Sequence, residues 1–267
     1  MSESDYQYIQ ELVYKLSRIS LGPQKKTLVV SRIIKRMREL RCATLGQYCD
    51  LLRRPSGQQE LSELIDAIST NHTYFFRESP HFDYLTRHIL AGADRSVQRP
   101  FSMWSAACST GEEPYSFAMV LEEQRLYERG FEWEMVATDI SHHVVARAEL
   151  GVFPATALTR VPQRLFRHLK QEPSGNYRVV DAIRRRIRFL QMNLFAPHAT
   201  IRENFDLIVC RNVMIYFDGE TRTELTQSLV RRLRPGGILF VGHSESLSGV
   251  DAPLERVQPA IYRRIAS

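Results

Sequence analysis

Residues 101–116 read FSMWSAACSTGEEPYS. A short apolar run, 101–106, gives way to small residues, then to Gly111, then to a segment from Glu112 to Gly130 that reads as a helix. A strand that turns through small residues into a helix lets backbone N–H groups approach a ligand, and the helix N-terminus adds positive dipole. This is not a phosphate-binding P-loop, because no Gly-Lys-Ser/Thr follows. It is also a poor dinucleotide fingerprint, with Ala107 and Ser109 where glycines would stand. Glu112 and Glu113 at the helix start would repel a pyrophosphate and would suit an ammonium or sulfonium group. The plainer reading is a tight strand–helix turn whose acids favour the helix N-terminus.

Outward from this turn the texture alternates. WEMVATD (133–139) reads as a second strand, and Ser141 as the N-cap of a helix to Leu150. FDLIVC (205–210) is another strand, 218–233 a helix that stops at Arg234-Pro235-Gly236-Gly237, and GILFVG (237–242) a further strand. Strand–helix alternation predicts an α/β fold, a mostly parallel sheet covered by helices on both faces. Two segments break the alternation. Residues 176–191, with Arg184, Arg185, Arg186 and Arg188, look like an antiparallel ribbon inserted at about 172–191, and AIYRRI near the C-terminus reads as an antiparallel edge strand. Residues 1–70 read as all-helical, 71–90 as a linker, and 91–267 as the sheet domain.

Composition narrows the classes. The chain has 267 residues, 43% hydrophobic and 25% charged, ordinary for a soluble globular protein. Its four cysteines, Cys42, Cys49, Cys108 and Cys210, lack metal-ligand pairing, so a disulfide scaffold and a zinc ribbon are excluded and no metal is expected. No apolar run approaches the ~20 residues of a membrane span. The polar, acidic start MSESDYQYIQ is no signal peptide, and the expectation is a cytoplasmic protein. The net charge is +6, and between Lys25 and Arg41 seven basic residues face the single acid Glu39, a local excess equal to that of the whole chain. The segment Thr27–Arg41 predicts a helix with Val29, Ile33, Met37 and Leu40 on one face, Val30 and Ile34 beside them, and Arg32, Lys35, Arg36 and Arg38 elsewhere. It reads equally as a solvated basic face or as a docking helix for an anionic partner.

Polar residues gather where open α/β sheets bind ligands, at the carboxyl ends of strands. Asp139 ends the second strand, 28 residues after Gly111, where an acid commonly holds ribose hydroxyls, or else caps the next helix. Asn193-Leu194 and CRNVMIYF (210–217), with Asn212 and Tyr216, follow two further strands. In the linker NHTYFFRESPHF (71–82), Asn71, Thr73 and Arg77 stand among aromatics, which suits the wall of an interdomain cleft.

Together N-x-T-x-F-F-R-E, S-T-G-E-E-P-Y-S, A-T-D-I, N-L, C-R-N-V-M-I-Y-F-D and G-H-S-E (242–245) resemble the CheR family. These are S-adenosylmethionine-dependent methyltransferases that esterify glutamates on bacterial chemoreceptors. The resemblance covers essentially the whole chain and implies a class I methyltransferase fold: a Rossmann-like sheet with an all-α N-terminal domain and a small β insert. It implies that Asn71, Thr73 and Arg77 contact the cofactor and face the transfer site. It implies that Gly111, Glu112 and Glu113 lie under the methionine end, either glutamate making the contact. It puts Asp139 on the ribose, Asn193, Leu194, Arg211 and Asn212 around the adenosine, and Tyr216 near the methyl. Lys25, Arg32, Lys35, Arg36 and Arg38 would dock the receptor's methylation helices. A glutamate of pKa ~4.3 is ionised at neutral pH, so no general base is required, and Arg77 and Tyr216 are assigned to orienting the carboxylate. The connection Gln171–Asn176, taken to join a helix to the ribbon, looks short, which points to an enzyme independent of a receptor C-terminal tether. Rival readings are a nucleic-acid methyltransferase, against which stands the lack of an N-P-P-Y-type segment or a catalytic-cysteine motif, and a non-catalytic cofactor-binding adaptor.

Overall fold

The computed structural model describes residues 3–22, 26–92, 99–196, 201 and 204–266. Helices α1 (Glu3–Ser17), α2 (Lys26–Glu39), α3 (Leu45–Arg53) and α4 (Gln58–Ile68) form an N-terminal bundle. Each contributes apolar residues at helical spacing to one core, among them Ile9, Val13, Val29, Ile33, Tyr48 and Leu64. α2 stops short of the expected Arg41. Arg41 takes φ 58°, and Cys42 N–H reaches back to Met37 O at 2.8 Å, which closes the helix. Leu40, expected on the apolar face, is therefore exposed beyond the last turn. The bundle buries one acid, Glu60, which accepts from Arg36 Nε (3.0 Å) and Nη2 (2.6 Å) and from Tyr48 Oη (2.7 Å).

A linker and the short helix α5 (Pro80–Tyr84) lead into the second domain. There β1 (Phe101–Ala106), α6 (Glu112–Tyr127), β2 (Trp133–Asp139) and α7 (His142–Leu150) run in alternation. Then come β3 (Val152–Phe153), β4 (Leu169–Gln171), β5 (Tyr177–Val179), α8 (Asp181–Arg184) and β6 (Ile187–Gln191). The chain ends with β7 (Phe205–Cys210), α9 (Gly219–Arg232), β8 (Leu233–Val241), β9 (Leu254–Gln258) and β10 (Ile261–Arg264). Seven strands form the main sheet in the order β6-β2-β1-β7-β8-β10-β9. The five from β6 to β8 are parallel, and β10 and β9 are antiparallel to their neighbours. The middle strands are buried on both faces. Along β7, Leu207 and Val209 join the core on one side, and Ile208 and Cys210 the core on the other.

Two further sequence expectations change. Residues 176–191 are not one ribbon. β5 belongs to a separate three-stranded antiparallel sheet, ordered β3-β5-β4, while β6 pairs in parallel with β2 in the main sheet. The turn α8, anchored by buried Ile183, separates them, and buried Ile187 draws β6 to the large sheet. The insert so occupies roughly 152–179, and Gln171–Asn176 is the turn of its β4–β5 hairpin rather than a helix-to-ribbon connection. At the C-terminus, AIYRRI supplies β10, the last strand but one. The edge is β9, whose Glu255 and Arg256 are exposed, as suits a solvent-facing edge. Among the described residues no helix is long and apolar enough to cross a membrane.

Candidate active site

A cleft lies at the carboxyl ends of the parallel strands, between the sheet and the helical bundle. Asn71, Thr73, Arg77, Glu113, Asp139, Asn193, Leu194, Arg211, Asn212 and Tyr216 all line it; Gly111 and Glu112 do not. Sequence reasoning missed the contribution of the N-terminal bundle, whose Ser17, Ile19 and Ile68 also face the cleft. It also missed Ser109, inside the quoted turn.

The turn after β1 is set by crowding. Gly111 takes φ 101°, and a Cβ there would stand 3.0 Å from the Ala148 Cβ and 3.2 Å from the Tyr115 ring. The following glutamates separate in role. Glu112 accepts from Thr110 Oγ1 at 2.6 Å. Glu113 accepts from Ser105 Oγ at 2.7 Å and from Arg211 Nε at 2.9 Å, with its side chain in the cleft floor. Burial pushes the Glu113 carboxyl above the ordinary range, and the Arg211 cation opposes that push.

Arg211 is fully enclosed. Its Nη1 donates to Arg77 O at 2.7 Å and to His81 Nδ1 at 3.1 Å, and lies 3.6 Å from Glu78. It is a tie between the end of β7, α6 and the linker. His81 stacks on Phe240, and burial together with the Arg211 and His243 charges holds its pKa down to about 3, so the ring is neutral and can accept. Asn212, at φ 59°, donates its N–H to Glu245 Oε2 (2.9 Å) and its side-chain amide to Glu78 Oε1 (3.1 Å). Glu245 also accepts from the N–H of Gly242 at 2.6 Å. A Cβ on Gly242 would fall 2.7 Å from both Glu245 Oε2 and Asn212 Nδ2, so the carboxylate can close on this loop only because residue 242 is glycine. Glu78, His81 and Glu245 have no role in the sequence reading, though Glu78 and Glu245 sit in the quoted R-E and G-H-S-E segments.

Asp139 accepts from Ser109 N–H (2.9 Å) on one oxygen and from Ser141 N–H (3.0 Å) on the other. Burial raises its pKa and these amides lower it; each oxygen keeps acceptor capacity toward the cleft. Asn193 gives its side-chain amide to Leu16 O at 2.7 Å, the end of α1. Nearby, Ser20 N–H reaches Tyr216 O (2.9 Å) and Tyr14 Oη reaches Asp218 (2.8 Å), so α1 closes one side of the cleft. Arg77, half-buried, donates to His72 O at 2.8 Å and lies 5.6 Å from the Tyr74 ring centre.

The four docking cations of the sequence reading that lie among the described residues divide into two held by the bundle and two exposed. Lys25 lies outside the described residues. Arg36 is committed to Glu60, Glu39 and Glu63, because a buried carboxylate in the bundle needs a cation. Arg32 donates to Ile68 O (2.6 Å) and Ser69 O (3.1 Å), capping the carbonyls that end α4. Lys35 and Arg38 are exposed.

Residues 71–262 match "CheR methyltransferase, SAM binding domain", and residues 4–69 match "CheR methyltransferase, all-alpha domain". The chain is 39% identical to chemotaxis protein methyltransferase 2 of Pseudomonas aeruginosa, covering 98% of this chain and 93% of that protein. It is 37% identical to the chemotaxis protein methyltransferase of Borreliella burgdorferi (95% and 92% covered), and 36% identical to that of Escherichia coli (94% and 87%). The sheet, mostly parallel with an antiparallel pair at one edge, is that of a class I methyltransferase. With its all-α N-terminal domain and S-adenosylmethionine-binding domain both matched, the chain belongs to the CheR family of chemotaxis protein methyltransferases.

Proposed function

We propose that this protein transfers a methyl group from S-adenosylmethionine to the γ-carboxylate of glutamates on the cytoplasmic helices of chemoreceptors. The products are the glutamate methyl ester and S-adenosylhomocysteine. The observation that carries the reading is the gathering of Asp139, the Glu113–Arg211 pair, Arg77 and Tyr216 on one cleft at the strand ends.

The donor set fits the cofactor. Asp139 offers acceptor oxygens for ribose hydroxyls, and Glu113 places a carboxylate in the cleft floor, complementary to a cationic methionine end. Apolar Leu194, Met192 and Phe195 line the part of the cleft suited to a flat base. S-adenosylmethionine, when bound, supplies an activated methyl on a positively charged sulfur.

This chain's residues then have to position and desolvate. A receptor glutamate with pKa ~4.3 is already ionised, so no proton need be removed. Arg77 and Tyr216, both at the cleft, hold one carboxylate oxygen while the other attacks the methyl. Too firm a grip would quench the nucleophile, which favours an orienting role. Lys35 and Arg38 present exposed positive charge to acidic receptor helices. The compact β4–β5 turn, closed by Glu172 N–H to Asn176 O at 2.8 Å, supports a receptor interaction independent of a C-terminal tether. Three arginines of segment 178–186 are ion-paired, Arg178 with Glu172, Arg184 with Asp181 and Arg186 with Glu132, so these three offer no open basic stripe to a nucleic acid.

The test is transfer of radiolabelled methyl from S-adenosylmethionine to chemoreceptor cytoplasmic domains, followed by mild alkali. Label released as methanol is expected. Alkali-stable label would overturn the carboxylate assignment, and no transfer to any receptor despite tight cofactor binding would return the adaptor reading.

A further inference from the structure

Near Asp139, the helical bundle meets α7 through four side chains that the proposed methyl transfer does not use. Glu63 and Asp66, three residues apart on α4, face His142 and His143, the first two residues of α7. His142 Nδ1 lies 3.1 Å from Asp66 Oδ2, and His143 Nε2 lies 3.3 Å from Glu63 Oε2 and 3.6 Å from Asp66 Oδ2. His142 Nε2 is 3.9 Å from Glu63 Oε1. One donor atom each from Glu63, His142 and His143 falls within 4.8 Å of the others.

We propose that Glu63, His142 and His143 bind a divalent transition-metal ion of the Zn²⁺ class, with Asp66 holding the other ring nitrogen of His142, at a site bridging the helical bundle and the methyltransferase domain. Two observations support it. One donor atom from each of the three ligands falls near the others, with His142 Nε2 3.9 Å from Glu63 Oε1 and His143 Nε2 3.3 Å from Glu63 Oε2; bonds of ~2.0–2.2 Å around a tetrahedral ion put ligand atoms roughly 3.3 Å apart. The Asp66 side chain is only 9% exposed, and its enclosed Oδ2 lies 3.1 Å from His142 Nδ1, where a carboxylate orients a metal-binding imidazole.

The neighbouring cation does not occupy the site. Arg36 Nη1 comes to 3.4 Å from Glu63 Oε2, but its guanidinium is gripped on two nitrogens by Glu60, and Glu63 Oε1 remains on the histidine side. A second cluster of similar composition, Glu78, His81 and His243, carries no such inference, because the Arg211 cation already stands 3.1 Å from His81 and 3.6 Å from Glu78. The bridging site departs from the expectation of no metal. That expectation rested on cysteine spacing, and here the ligands are histidines and an acid brought together from positions about eighty residues apart.

The experiment titrates the full-length, metal-free chain with Zn²⁺ by calorimetry and with Co²⁺ by visible absorption. One equivalent is expected to bind, with tetrahedral-type cobalt bands, no thiolate-to-cobalt band in the near ultraviolet, and displacement of Co²⁺ by Zn²⁺. His143→Ala and Asp66→Asn should each weaken binding by at least ~10-fold, while His243→Ala leaves it unchanged. Zn²⁺ should also raise the Tm of the parent chain and not that of His143→Ala. The absence of stoichiometric uptake would overturn the proposal. So would a thiolate band, uptake indifferent to His143→Ala, or uptake lost in His243→Ala. Exposed His143 can be truncated without disturbing a core, and the cobalt spectrum of the parent chain needs no variant at all.

Discussion

Each domain buries a carboxylate against an arginine, and the two pairs do different work. In the bundle, Glu60 is held by Arg36 and Tyr48, which joins α2, α3 and α4 at one point. Arg36 keeps its outer edge in solvent, with further acids, Glu39 and Glu63, beside it. In the methyltransferase domain, Glu113 is held by Arg211 and Ser105, and both partners are enclosed. Arg211 gives its Nη1 donors to the linker carbonyl of Arg77 and to His81. The first pair fastens helices. The second fastens the floor of a cleft to the loop carrying the residue assigned to orient the substrate. A buried ion pair is thus not a sign of function by itself. What the partners' other bonds reach decides its use.

The sharpest break in this comparison comes from removing the two arginines. Arg211→Ala leaves Glu113 and Glu78 without their cation and is expected to cost about 3–5 kcal/mol of stability and to abolish methyl transfer. Arg36→Ala should cost roughly half as much, because its site is partly wet, and should leave kcat per folded molecule unchanged. Urea unfolding and single-receptor turnover read both; equal loss of kcat would erase the distinction. Next, Arg77→Ala should lower kcat by ~100-fold or more at saturating S-adenosylmethionine, beyond any loss of cofactor affinity. Retained kcat would remove Arg77 from the mechanism. Asp139→Asn sets an amide against two backbone N–H donors, and calorimetry should find S-adenosylmethionine affinity weakened by ~10–100-fold.

The enclosed cluster should also show in the pH dependence. His81 titrates near 3 in the fold and near 6.5 when unfolded, so the unfolded chain takes up a proton first as pH falls. The stability that depends on a neutral His81 is complete above pH ~6.5 and drains toward pH 3, by at most ~1.4 kcal/mol per pH unit. His81→Gln should flatten that part of the unfolding profile. The smallest expected effect lies on the bundle surface. Charge reversal at Lys35 and Arg38 should raise KM for receptor several-fold, most at low salt, and leave cofactor binding untouched.

Much of the α/β frame was legible because buried parallel strands read as short apolar runs and their helices open on visible caps, Ser141 and Asp218, whose side chains accept from Val144 and Thr221. The insert was misjudged because IRFLQ alternates equally well for a ribbon or for a half-buried strand of the large sheet, and only Ile183 and Ile187 packing decides. Ten of the twelve named cleft candidates line one cavity, since strand ends converge in this topology. What could not be read is the direction each polar side chain takes. Arg211 stands next to Asn212, yet one turns inward to Glu113 and the other takes a left-handed backbone to meet Glu245. The tying of Arg32 and Arg36 to partners within the bundle has the same origin. A helical wheel sorts residues by angle and does not know that Glu60 or the end of α4 lies across the gap.

The strand order also sets a timetable. The bundle's Arg36–Glu60 pair closes across 24 residues, and it can form while the rest of the chain is still being made. Arg211 meets Glu113 across 98 residues, and β1 gains its inner neighbour only when β7 arrives. Until then β6, β2 and β1, with α6, hold a half-sheet with a bare edge on β1 and an acid awaiting its cation. For a newly synthesised chain, the cleft is therefore a late product, and the interval before β7 emerges is when premature association with another chain threatens most.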